Sequence, residues 1–193
     1  NNKMSKISFS GSSQVGKTIV KNSSDKLTKV SLELGGKAPN IIFEDANLPS
    51  CIEANLRGGF FNQGENCTAV TRLFVHKKIF KKFVKSYIKS ISQIKIDNPE
   101  NESSQMGALI SSIHLKKVKN CVKKSIKQGG KLLYQGKVNK NLKGYFFPPT
   151  LIELSDTSNV LFKEEVFGPV VAIMQFEDEK EVVSMANNTI YGL

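Results

Sequence analysis

The stretch VSLELGGKAPNIIF, residues 30–43, places two short apolar runs on either side of a Gly-Gly pair. Short apolar runs that contain β-branched residues and are bounded by Gly or Pro are typical of buried strands. We therefore predict one strand over residues 30–34 and a second over residues 40–43. Gly35 and Gly36 directly follow the first strand, so a loop is expected to begin at its carboxyl end.

Helices and strands alternate on both sides of this stretch. Residues 79–94 form the clearest predicted helix, because apolar side chains recur every three or four positions while lysines fill the others. The other predicted helices are residues 12–21, 49–61, 111–128 and 179–187, and the other strands or extended segments are residues 7–10, 70–75, 132–134, 145–154 and 170–176. This alternation predicts an α/β fold with a largely parallel sheet.

The composition is that of an ordinary globular protein, with 39% hydrophobic and 23% charged residues in 193. No apolar run approaches the roughly 20 residues of a membrane helix, and no secretory signal is visible at the start. The helix at 79–94 is basic and amphipathic, which is compatible with an anionic membrane surface. The strands around it favour packing on a sheet instead, and we expect no membrane partner.

The net charge of +11 comes almost wholly from lysines, since Arg57 and Arg72 are the only arginines. Nucleic-acid surfaces usually include arginine for bidentate phosphate and base contacts. We therefore interpret the lysines as a solvated surface and expect no nucleic-acid partner.

The three cysteines, Cys51, Cys67 and Cys121, are odd in number and form no C-x-x-C pair. This pattern favours neither a disulfide scaffold nor a zinc site. With only two histidines in the chain, few metal ligands exist and no metal site is expected. A reducing, cytoplasmic location fits best.

A glycine-rich turn, GSSQVGKT at residues 11–18, has two functional interpretations besides that of a plain tight turn. It matches the phosphate-binding P-loop pattern, with Glu44 and Asp45 as candidate Mg²⁺ ligands, which would make the protein a nucleotide triphosphatase. Alternatively, the free N–H groups and partial positive charge at the helix N-terminus would hold a dinucleotide diphosphate, with hydroxyls from Ser12 and Ser13. The turn alone does not distinguish these two.

Three further segments carry chemically capable side chains. Glu33 ends a predicted strand, Cys67 lies between a predicted helix and a strand, and EEVFGP at residues 164–169 precedes the strand at 170. Each has a plain structural explanation by itself; a lone cysteine, for example, is usually a small buried hydrophobe.

Taken together and in this order, the segments resemble the aldehyde dehydrogenase superfamily over residues 7–193. The resemblance rests on FSGSSQVG at 9–16, ELGGK at 33–37, GENC at 64–67, EEVFGP at 164–169 and ANNTIYGL at 186–193. Glu65 departs from the family's commoner Gln. The sequence FFNQGENCT at residues 60–68 resembles that of one branch of the family, which holds retinal and acetaldehyde, betaine- and amino-aldehyde, and formyltetrahydrofolate enzymes. Within this branch, the resemblance favours a betaine- or amino-aldehyde as the substrate.

The resemblance implies NAD(P)-dependent oxidation of an aldehyde to a carboxylic acid. Cys67 would attack the carbonyl to give a thiohemiacetal and then a thioester, and its own backbone N–H would help to hold the oxyanion. Glu33 would activate the water that hydrolyses the thioester. A free thiol is only a few per cent thiolate at neutral pH, so the site must activate it.

The resemblance also implies a cofactor site, a domain division and an assembly. The cofactor would be NAD or NADP, with contacts to the diphosphate, the nicotinamide and its ribose. The residues assigned to it are Gly11, Ser12, Leu34, Gly35, Glu165 and Phe167. Residues 1–34 would be the C-terminal part of a Rossmann-like cofactor domain, and residues 35–193 an incomplete three-layer catalytic domain. We expect an internal segment of a homo-oligomeric enzyme, a dimer or tetramer, that acts on a small-molecule aldehyde.

Overall fold

The computed structural model describes residues 4–193; residues 1–3, where the predicted cofactor-domain segment begins, lie outside the described residues. The strands are β1 (Lys6–Gly11), β2 (Lys29–Leu34), β3 (Pro39–Ile42), β4 (Arg72–His76), β5 (Lys131–Gln135), β6 (Thr150–Glu153) and β7 (Val170–Phe176). The helices are α1 (Ser13–Ser23), α2 (Leu48–Phe60), α3 (Lys77–Ile91), α4 (Ser112–Lys127), α5 (Val160–Lys163) and α6 (Glu179–Asn187), and short 3-10 turns cover Ser24–Lys26 and Phe61–Gly64.

The strands form two sheets. β1 and β2 pair in parallel, and the second sheet has the order β3-β4-β7-β6-β5. Its pairs are parallel except β5–β6, which is antiparallel. The predicted α/β fold with a largely parallel sheet is confirmed.

The five-stranded sheet is covered on both faces. Along β7, Val170, Ala172 and Met174 join one core cluster, while Val171 and Ile173 join the other, as expected for side chains that alternate between faces. The first cluster includes apolar residues of α4, α5 and α6, and the second includes those of α2 and α3. The result is the predicted three-layer arrangement.

Helix α3 shows why the basic helix packs on the sheet. Its apolar stripe is buried, with Phe83 and Tyr87 fully inaccessible and Phe80 and Ile91 nearly so. Burial of such side chains stabilises by roughly 1.5–3 kcal/mol each, which favours the sheet over solvent. Among residues 4–193, no helix has both the length and the apolar character needed to span a bilayer.

The boundaries differ from the sequence prediction where local backbone chemistry intervenes. The extended segment expected over 145–154 pairs as a strand only at Thr150–Glu153, because the preceding Pro148 and Pro149 have no N–H to donate to a ladder. Helix α5 was not predicted. It is a single turn whose N-cap, Asn159, accepts a hydrogen bond from Leu161 N at 3.0 Å.

Candidate active site

The carboxyl ends of β1 and β2 lie side by side at one edge of the candidate site. In their register Ser10 pairs with Glu33 and Gly11 with Leu34. Helix α1 begins just beyond β1 with Ser12 as its N-cap and has no acidic residue in its first turn. Such a helix end presents N–H groups without intrahelical acceptors, together with a partial positive charge. It is therefore suited to an anionic group.

The loop after β2 approaches two distant parts of the chain. Gly36 N donates a hydrogen bond to Glu165 Oε1 at 3.2 Å. A Cβ on Gly35 would overlap the carboxylate of Glu165, and a Cβ on Gly36 would lie 2.7 Å from the carbonyl oxygen of Cys67. Only glycine fits at these two positions without displacing the candidate nucleophile or Glu165.

The segment before Cys67 has a strained backbone. Asn62 and Gln63 have left-handed φ values of 50° and 57°, and Gly64 follows at 69°. Non-glycine residues rarely adopt this conformation. Side-chain contacts hold it: Asn62 Nδ2 donates to Glu65 O at 2.9 Å, and Gln63 Oε1 accepts from Gly107 N at 3.2 Å. Such strain is often stored at functional sites, and here the strained loop ends at an exposed cysteine.

These elements surround a pocket of about 590 Å³. The residues that the family resemblance assigns to the site all line it: Gly11, Ser12, Glu33, Leu34, Gly35, Cys67, Glu165 and Phe167. Ser13, expected as a second hydroxyl donor to the diphosphate, does not. Five further residues, Ser10, Glu65, Asn66, His114 and Lys117, complete the lining. The structure thus brings the predicted site residues together, while their chemical roles stay predictions.

His114 and Lys117 also line the pocket, although no motif in the sequence indicated them. Both belong to α4 and are three positions apart, a spacing that places them on one helix face. The histidines were considered only as metal ligands. Among the described residues, no group of three His, Cys, Asp or Glu side chains is arranged to hold a metal ion.

Two buried basic side chains, Lys37 and Arg72, support the loop after β2. Lys37 Nζ donates to Leu161 O at 2.8 Å, and Arg72 Nε donates to Lys37 O at 2.8 Å. Arg72 also donates to Ala186 O at 2.9 Å and stacks over the Phe162 ring at 4.9 Å. Burial, and secondly the charge of Arg72, lowers the pKa of Lys37 to about 7. These groups tie the loop to α5 and α6 without lining the pocket.

The other two cysteines lie in helices, as the sequence predicted. Cys51 and Cys121 are partly buried in α2 and α4. Burial, and secondly the negative charge of Glu164, raises the pKa of Cys121. A raised pKa reduces the thiolate fraction on which thiol reactivity depends, so Cys121 is a poor nucleophile.

The geometry at residues 11–18 gives no support to the P-loop interpretation. Thr18 Oγ1 donates to Gln14 O at 3.2 Å, so its hydroxyl turns back onto its own helix. Lys17 is exposed and does not line the pocket. The proposed acidic Mg²⁺ ligand Glu44 pairs instead with Lys78 at 2.7 Å.

The fold and pocket define an α/β protein in which a thiol, a carboxylate and a glycine-rich helix start share one cleft. The chain belongs to the aldehyde dehydrogenase family, whose model matches residues 1–193. This result confirms the resemblance found in the sequence and gives no support to the P-loop alternative.

Several relatives show where the chain falls within the family. It is 42% identical to the 2-aminomuconic semialdehyde dehydrogenase of Bos taurus, over 97% of this chain and 40% of that protein. It is also 42% identical to the aminoaldehyde dehydrogenase 1, peroxisomal, of Pisum sativum, over 97% of this chain and 38% of that protein. The chain therefore spans about 40% of the length of these relatives.

A solved relative has nearly the same backbone. The crystal structure of betaine aldehyde dehydrogenase from Staphylococcus aureus in complex with NAD+ superposes with a TM-score of 0.96 at 38% identity. The match covers 100% of this chain and 39% of the bacterial chain.

Proposed function

We propose that this chain carries the reaction centre of an NAD(P)-dependent aldehyde dehydrogenase, which oxidises an aldehyde to a carboxylic acid. The observation that carries the proposal is the pocket itself. Residues from β1, β2, the Cys67 segment and the Glu165 segment are far apart in sequence, yet all eight residues that the family resemblance assigns to the site line one cavity.

The cavity has the donors, acceptors and apolar surface that a nicotinamide dinucleotide needs. The start of α1 at Gly11 and Ser12 suits the diphosphate. Glu165 offers carboxylate oxygens to ribose hydroxyls, and the Phe167 ring gives an apolar wall beside them. Leu34 and Gly35 would lie beside the nicotinamide. Bound NAD or NADP would supply the hydride acceptor of the oxidation.

Cys67 and Glu33 would perform the covalent chemistry. The Cys67 thiolate forms a C–S bond to the aldehyde carbon as the C=O π bond breaks. Its electron pair moves to the carbonyl oxygen, which becomes an oxyanion that the Cys67 N–H helps to hold. After oxidation, the acyl group is attached to Sγ as a thioester. Glu33 takes a proton from water, the resulting hydroxyl adds to the acyl carbon, and the thiolate leaves. Both side chains are exposed to the cavity, so water can reach them.

The substrate class is inferred from the names of the similar proteins. The similar proteins are named for 2-aminomuconic semialdehyde, aminoaldehydes and betaine aldehyde, and we infer an amino- or betaine-type aldehyde here.

We also propose a domain division, an assembly and a location. Residues 1–34 belong to the cofactor domain and residues 35–193 to the catalytic domain. The enzyme is a homo-oligomer, and it acts in the cytoplasm.

The direct test is to replace each cysteine by serine in the complete protein and to follow NAD(P)H formation with an aldehyde. We expect Cys67→Ser to abolish oxidation, because serine is a far weaker nucleophile than a thiolate at neutral pH. Cys51→Ser and Cys121→Ser are the matched controls and should keep activity, since neither residue lines the pocket. Full activity in Cys67→Ser would refute the assignment.

A further inference from the structure

We propose that His114 is a positioning residue that couples the Cys67 loop (residues 61–69) to the Glu165 loop (residues 164–169). The inference rests on the proposed function, since it concerns how the cofactor pocket keeps its shape. It assigns a role to a side chain that lies between the two loops and outside the chemistry derived above.

His114 holds the backbone of the Glu165 loop. Its Nε2 lies 2.6 Å from the carbonyl oxygen of Phe167. A carbonyl oxygen can only accept, so Nε2 carries a hydrogen and donates it. Phe167 needs such a restraint, because its φ of 56° is in the left-handed region that non-glycine residues rarely adopt. The two rings also pack edge to face, with centroids 6.4 Å apart.

The same nitrogen faces the Cys67 loop. Nε2 of His114 lies 3.5 Å from Glu65 Oε1, and both side chains are mostly buried, at 14% and 11% exposure. Glu65 Oε1 also accepts from Ile110 N at 3.2 Å, and Ser111 Oγ accepts from His114 N at 3.1 Å. The first turn of α4 is thereby fixed to the Cys67 loop, two residues before the nucleophile.

The Cys67 loop and the Glu165 loop also contact each other directly, through backbone atoms and not through a side chain. They meet where a Cβ on Gly64 would collide with the carbonyl oxygen of Gly168. That contact sets how closely the two backbones can approach, but a glycine has no side chain with which to orient Phe167. The hydrogen bond from His114 to Phe167 O orients the Glu165 loop. The Phe167 ring and the Glu165 carboxylate, which this loop carries, both line the pocket.

The test measures NAD+ affinity of the complete protein by isothermal titration calorimetry. His114→Leu keeps bulk and removes the donor, and we expect its Kd for NAD+ to rise about tenfold, as loss of a partly buried hydrogen bond predicts. His114→Gln places an amide N–H near the lost ring nitrogen and should return the Kd to within about threefold of the original. His114→Asn, whose stem is too short, should not restore it.

His76 offers a matched control. Its Nε2 lies 3.0 Å from Glu177 O, a similar ring-to-carbonyl contact far from the pocket. His76→Leu should lower the thermal midpoint without changing the Kd for NAD+. If His114→Leu does not fold, the comparison of His114→Gln with His114→Asn decides the question.

A double-mutant cycle tests the coupling. Glu65→Ala, which removes the oxygen that faces His114, should weaken NAD+ binding about threefold in the original background and have no further effect beside His114→Leu. Additive effects, or unchanged affinity in His114→Leu while the original protein binds NAD+, would overturn the inference alone. A weakening that His114→Gln does not relieve would show a merely structural role and also overturn it. Failure of the original protein to bind either NAD+ or NADP+ would overturn the proposed function as well.

Discussion

Gly36 and Glu165 are joined by a hydrogen bond of 3.2 Å across 129 positions of sequence. Next to it, a Cβ on Gly35 would occupy the space of the Glu165 carboxylate itself. The glycine pair after β2 therefore fixes where this carboxylate lies. The Glu165 carboxylate can lie against the backbone of Gly35 and line the pocket because Gly35 has no side chain.

Gly35→Ala should consequently damage the pocket more than the fold. The added methyl group must displace the Glu165 carboxylate, and we expect NAD+ affinity to fall about tenfold or more, with a much smaller change in thermal midpoint. Gly192→Ala is the control, because a Cβ there meets no atom within 4 Å. Calorimetric titration with NAD+ measures both variants. Equal affinity in the two would contradict the role given to Glu165.

Lys17→Ala separates the two interpretations of the glycine-rich turn. A dehydrogenase should tolerate it, because the diphosphate site consists of backbone N–H groups and Ser12. A P-loop enzyme would lose function, because its lysine reaches the transferring phosphates. We expect NAD+ affinity to change by less than about twofold and no tight Mg-ATP binding in either form. Tight Mg-ATP binding that disappears in Lys17→Ala would favour the P-loop.

The sequence was sufficient to predict those helices and strands whose local pattern of apolar residues determines them. A short apolar run predicted β7, and a helical pattern predicted α6, at the bounds observed for Val170–Phe176 and Glu179–Asn187. The site residues followed from their order along the chain, because each belongs to a segment that resembles the family. The structure then brought those segments to one cavity.

Contacts between distant side chains could not be predicted in this way. Nothing in the helical pattern of α4 indicates that His114 would meet Phe167, 53 positions away. Lys37 and Arg72 are polar and would be expected at the surface, yet both are buried, and each donates a hydrogen bond to a backbone carbonyl oxygen. Such partners come from tertiary packing, which a single sequence does not display.

Lys37 should make stability depend on pH. Its pKa falls from the ordinary 10.5 to about 7 in the folded chain, mainly because of burial. Between these values the unfolded state binds more protons, so the free energy of unfolding rises with pH. Relative to Lys37→Met, we expect the original protein to gain on the order of 2 kcal/mol between pH 7 and pH 9.

Urea titrations of the two forms at several pH values measure this difference. Loss of the hydrogen bond to Leu161 O shifts the Lys37→Met stability by a constant and leaves the pH slope as the informative quantity. Lys127→Met, at an exposed position of α4, controls for removal of a charge. A pH-independent difference between the original protein and Lys37→Met would show that Lys37 is not desolvated.

Glu33→Gln should separate hydride transfer from thioester hydrolysis. Gln keeps the size and hydrogen bonding of Glu but cannot take a proton from water. Hydride transfer needs only the Cys67 adduct and the bound cofactor, so the first turnover should stay fast. We expect a burst of roughly one NAD(P)H per active site, followed by a steady state about 10²–10⁴-fold slower.

Stopped-flow absorbance at the nicotinamide band resolves the two phases in the complete protein. If Glu33 instead acts mainly by priming Cys67 as a thiolate, the burst itself becomes slow, because the adduct then forms slowly. Glu53→Gln is the matched control: Glu53 is an exposed carboxylate of α2 and does not line the pocket, so neither phase should change. A slow or absent burst in Glu33→Gln would count against the deacylation role, and unchanged turnover would remove Glu33 from the mechanism.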